Sequence, residues 1–112
     1  MHLLVFVLNK VDKLDELLLE FTKAKISGAT VLDSHGMAEI LIDHKQELPM
    51  FGSLRLLLNE KRPFNKTIFA VLSDKQIPTA LDCIKKVVGD LSKPGVGIVF
   101  TLPVNYVDGI RN

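Results

Sequence analysis

Residues 3–8 read Leu-Leu-Val-Phe-Val-Leu, six apolar side chains in a row with no polar residue at every second place. A strand that keeps one face in water alternates apolar and polar side chains, whereas one covered on both faces does not. This run therefore demands cover on two sides. The segments Thr67-Ile68-Phe69-Ala70-Val71-Leu72 and Ile98-Val99-Phe100-Thr101-Leu102, the latter ended by Pro103, have nearly the same character. A further strand is expected over residues 29–33, with room to run past Gly36 to Ile42.

Between these strands lie two helical stripes. Leu14, Leu17, Leu18 and Phe21 fall at i, i+3, i+4 and i+7, while Lys13, Asp15, Glu16, Glu20 and Lys23 take the other side. Asp12 is placed to cap this helix, and Gly28 lies beyond its end. The second stripe comprises Ile77, Ala80, Leu81, Ile84, Val87, Val88 and Leu91. Ser73 and Gln76 have capping-box spacing at its start, and Pro78 suits a first turn. The order β-α-β-β-α-β predicts one α+β domain over residues 1–112, a ferredoxin-like four-stranded antiparallel sheet with two helices on one face.

Two helices cover only one face of such a sheet, so the other needs a separate cover. An exposed face this apolar exceeds what soluble monomers ordinarily carry, and a closed homo-oligomer is the economical solution. The alternative is a monomer whose 43–64 segment folds over the sheet. No apolar run approaches the roughly 20 residues that span a bilayer, so the chain is read as not membrane-embedded, despite being 47% hydrophobic. Fourteen basic and thirteen acidic residues leave a net charge of +1, which argues against a nucleic-acid partner. The single cysteine, Cys83, permits no internal disulfide, and together these features point to a cytoplasmic protein.

Several stretches in order carry a family likeness. Lys13-Leu14-Asp15-Glu16, Ser27-Gly28-Ala29-Thr30-Val31, His35-Gly36 and Gly97-Ile98-Val99-Phe100-Thr101-Leu102-Pro103-Val104 resemble, in sequence and spacing, the PII signalling proteins of nitrogen regulation. The resemblance implies a non-enzymatic homotrimer with its sheets facing inward. It also implies a small-molecule effector, an adenine nucleotide, held in clefts between subunits, with no cofactor otherwise required. A large loop, here about 37–62, would contact a protein target such as a transporter or an enzyme. The ligand-binding positions it implies are His35, Gly36, Lys93, Gly95, Val96, Gly97 and Arg111.

The chain also departs from the family pattern. Ile98 stands where the phosphate-binding lysine is expected, and Gly109-Ile110-Arg111 keeps one of two C-terminal arginines. Ile40 replaces the loop glutamine that helps hold magnesium and 2-oxoglutarate, and the loop lacks the tyrosine some relatives have modified, since the only tyrosine is Tyr106. A charge-assisted contact is worth about 1.5–3 kcal/mol, so the loss of two weakens triphosphate binding and favours a less charged or different ligand, such as a mono- or dinucleotide, or action mainly through the loop, with AMP, ADP and ATP left open.

Within the loop, Gly52-Ser53-Leu54-Arg55-Leu56-Leu57-Leu58-Asn59 reads as a short capped helix. Leu54, Arg55, Leu57 and Leu58 are its candidate partner-binding residues, unless the leucines pack on the core. His2, His35, His44 and Cys83 lack metal-ligand spacing, so no metal site is assigned. No nucleophile has an evident base, so no catalytic residue is assigned. A CutA-like metal-linked trimer and a small dimeric ferredoxin-like enzyme are the alternative readings.

Overall fold

The computed structural model describes residues 1–37 and 65–110. Four strands, β1 (His2–Leu8), β2 (Thr30–Ser34), β3 (Asn65–Leu72) and β4 (Gly97–Pro103), form one sheet in the order β2-β3-β1-β4. Every neighbouring pair is antiparallel. Helices α1 (Leu14–Lys23) and α2 (Gln76–Val88) supply the crossovers, and the strand order fits the expected ferredoxin-like α+β arrangement.

The apolar run at the start of the chain becomes β1, with β3 on one side and β4 on the other. Alternate side chains of a strand point to opposite faces. Leu4, Phe6 and Leu8 of β1 join Ile68, Ala70 and Leu72 of β3 on the inner face. Leu17 and Phe21 of α1 and Ala80, Ile84, Val87 and Val88 of α2 complete that core. The two periodic stripes read from the sequence are thus the buried faces of the helices.

Local capping differs from expectation at α1. Asp12 sits in a short 3-10 turn, Val11–Lys13, and no side chain caps the helix. Chain reversal after α1 uses Lys25, with φ 64°, rather than Gly28. There Ile26 N–H returns to Phe21 O at 2.8 Å, and the Ile26 side chain enters the core. Burial of Ile26 helps offset the cost of a left-handed lysine. At α2 half of the capping box forms, the Ser73 N–H donating to Gln76 Oε1 at 3.0 Å, and Pro78 falls in the first turn. Strand β2 ends at Ser34, before His35 and Gly36.

The outer face is where the sequence placed the difficulty. Reading across β2-β3-β1-β4, one row is Thr30, Phe69, Val5 and Phe100, and the next is Leu32, Thr67, Val7 and Ile98. Val71, Leu3 and Leu102 form a third. Ile98 is 58% exposed, Leu32 50%, and Phe100 and Leu102 45% each. The 43–64 segment, the alternative cover, lies outside the described residues.

Candidate functional site

At one end of the outer face the apolar rows give way to amides and hydroxyls. Ser34 ends β2 directly opposite Asn65, which starts β3. Asn9 follows β1. The Ser34 hydroxyl donates to Asn65 Oδ1 and lies 2.7 Å from Thr67 Oγ1. A serine hydroxyl has one proton, so the Thr67 hydroxyl donates to Ser34. Asn65 Nδ2 then donates to Asn9 Oδ1 at 3.2 Å, and the Asn9 backbone N–H donates to Val96 O at 3.1 Å. Asn65, only 8% exposed, is the one buried polar side chain among the described residues. Burying an amide without partners costs about 1–3 kcal/mol, and here both of its ends are engaged.

This row lies between two groups of predicted ligand positions. His35 and Gly36 continue from Ser34, and a Cβ on Gly36 would stand 3.7 Å from Asn65 Nδ2. On the other side, the turn before β4 carries Lys93, Gly95, Val96 and Gly97. Antiparallel register puts the end of β2, the end of β1 and the start of β4 at the same end of the sheet. The structure therefore brings six of the seven predicted ligand positions to one end of the molecule. Arg111 lies outside the described residues, as do Ile40, His44, Leu54, Arg55, Leu57 and Leu58.

The individual roles are less uniform than the motif suggests. Gly97 adopts φ 153°, and a Cβ there would come within 2.9 Å of Phe6 Cε1 while also striking the Val7 carbonyl. Its glycine identity is thus required by contact with β1. Val96 packs in the core, and its carbonyl receives the Asn9 N–H. Gly95 has φ 78° with open space where a Cβ would be, so it can let an approaching group close to the backbone. Lys93 is exposed in the same turn. Upstream, Asp90 accepts bonds from the Ser92 hydroxyl at 2.7 Å and the Ser92 N–H at 2.9 Å, which hold its carboxyl below the usual aspartate range.

The chain matches no known protein-family model, and a search of curated proteins finds no significant relative.

Elsewhere, the histidines and the cysteine have local settings. His2 Nδ1 stands 3.0 Å from Asp74 Oδ1, just before α2. Cys83 is buried in the seam between the helices, its Sγ 3.7 Å from Glu20 O, and burial raises its thiol pKa. Among the described residues no three His, Cys, Asp or Glu side chains gather to hold a metal ion, and no helix is long and apolar enough to cross a membrane.

Asn9, Ser34, Asn65 and Thr67 were not singled out from the sequence. Their only signal is a break in the apolar pattern at the strand ends, where Thr67 departs from Phe69 and Val71, and Asn9 from Val5 and Val7. Such breaks are common where strands enter turns. Only the register, which puts Ser34 opposite Asn65, turns them into one row.

Proposed function

We propose that this protein is a PII-like regulator. Three copies pack their outer sheet faces together, an adenine nucleotide binds in clefts between them, and the complex controls a protein target. The observation that carries this reading is the outer face itself. Its apolar rows lead to a polar end that carries His35 and Gly36 after β2 and, two strands away, Lys93, Gly95 and Gly97 before β4. A covered apolar surface bordered by open backbone is the setting in which a shared ligand cleft forms.

The C-terminal tail supports a cleft shared between subunits. It leaves from the far end of β4, where the Val104 N–H donates to Met1 O. A seven-residue strand spans about 20 Å. The tail that leads to Arg111 thus begins about that far from the glycine turn of its own subunit. Gly95 and Lys93 then provide a backbone approach and one cation, which suits AMP or ADP better than a triphosphate.

The test is thermal unfolding of the purified protein with AMP, ADP and ATP, with and without magnesium, alongside light scattering. A ligand at 100 times its dissociation constant adds about 2.7 kcal/mol per site, a rise in Tm of about 10 °C for a domain of this size. A trimer that responds to one of these nucleotides is the expected result. A monomer or dimer overturns the assembly, and no rise with any nucleotide overturns the sensing.

A further inference from the structure

We infer that Asn65 is a positioning residue that ties the root of the large loop to the glycine turn, so that displacement of one is transmitted to the other. The part this plays in a ligand cleft rests on the regulatory reading above, whereas the tie itself is a property of the chain without ligand.

His35 and Gly36 are separated from the turn at 95–97 by some 60 positions in sequence and by two strands, β3 and β1, in the sheet. Ladder hydrogen bonds alone connect them only through those strands. The polar row adds a side-chain route across the same strand ends. Thr67 donates to Ser34, Ser34 to Asn65 Oδ1, Asn65 Nδ2 to Asn9 Oδ1, and the Asn9 N–H to Val96 O. From Thr67 to Asn9 Oδ1 each group donates toward the next in one sense, the arrangement in which neighbouring hydrogen bonds strengthen one another, and the Asn9 backbone carries the tie on to Val96. Val96 is anchored in the core and its successor Gly97 is pressed against β1, which leaves the turn little freedom to absorb a shift at Asn9. At the other side, Ser34, bonded to Asn65 Oδ1, leads directly into His35 and Gly36, where only an added Cβ would reach van der Waals range of Asn65 Nδ2. A side chain at 65 lacking either the acceptor or the donor breaks the route in the middle.

Asparagine is the residue that can accept from a hydroxyl on β2 and donate toward β1 at once.

The experiment is amide hydrogen exchange on the full chain without ligand, comparing wild type with Asn65→Ala, Asn9→Ala and Asn9→Asp. In Asn9→Ala, which removes a half-buried side chain outside the core, exchange rises in the segments covering both 32–36 and 95–97. The rise is about fivefold, the factor that one hydrogen bond of ordinary net strength represents. Asn65→Ala produces the same paired change. Asn9→Asp keeps an acceptor for Asn65 Nδ2 and returns both segments toward wild type, while residues 68–72 stay protected throughout. The inference is overturned if Asn9→Ala loosens 95–97 but leaves 32–36 unchanged. It is equally overturned if the two segments change only together with 68–72, since the residues would then merely add stability. Nucleotide binding does not enter these outcomes, so failure of the sensing reading is seen separately, in the thermal shifts.

Discussion

Gly97 shows how a glycine can be required for a reason its motif does not state. Its place in a Gly-x-Gly turn suggests phosphate, yet the backbone of β1 leaves no room for a Cβ, and φ is 153°. Replacement by alanine forces a strained backbone against a carbonyl, and such incompatible substitutions cost about 1–3 kcal/mol. We expect Gly97→Ala to lower the unfolding free energy measured in urea by that amount, whereas Gly95→Ala, with open space around it, loses only what its φ of 78° imposes. Equal losses at the two positions would refute the distinction. Sequence alone does not separate these glycines, because the difference lies in what β1 places beside them.

At the scale of elements, the helices and strands were legible because their periodicities differ. The stripe Leu17, Phe21 and the stripe Ala80, Ile84, Val87 are the faces found in the core. Their ends were less legible: Asp12 is not a cap and Lys25 takes the left-handed turn, since a buried Ile26 can fix a reversal that local propensity assigns to glycine. The seam between α1 and α2 also contains an ion pair no single-helix pattern reveals. Glu20 receives Lys86 of α2 at 3.0 Å and Lys23 of its own helix at 3.5 Å. The Lys86 hydrogen bond holds the Glu20 carboxyl below the usual glutamate range, against a smaller opposing effect of desolvation. A carboxylate with a lowered folded-state pKa stabilises above its unfolded value, near 4.3. That contribution disappears as pH falls through the lower folded value. Lys86→Met should therefore narrow the difference between urea midpoints at pH 7 and pH 3. An unchanged difference would show that the pair does not link helix docking to acid.

For the whole molecule, the decisive surface is the outer face. Its apolar character was legible from three strands without alternation, whereas the polar row at its end was not, because that row exists only once β2, β3 and β1 are in register. Phe100 and Leu19 make a controlled comparison, one 45% exposed on that face, on edge strand β4, and the other exposed on α1. Glutamate at the centre of a buried subunit contact leaves a charge without water, which an interface does not tolerate. If the proposed trimer forms through this face, Phe100→Glu gives a folded monomer by light scattering and Leu19→Glu leaves the trimer intact. An unchanged oligomer in Phe100→Glu would move the subunit contact elsewhere.

The place of β1 in the middle of the sheet has a consequence for how the chain comes into being. It precedes both of its neighbours in synthesis, and its ladder closes only when Leu3 meets Val71 and then Leu102. Until then the most apolar stretch of the protein has no strand on either side. Contacts between residues so distant in sequence make folding slow, and a nascent strand with open edges is a site for unwanted pairing. The segment that specifies the finished sheet most strongly is thus also the one that waits longest, and depends most on the cell, before it is safely enclosed.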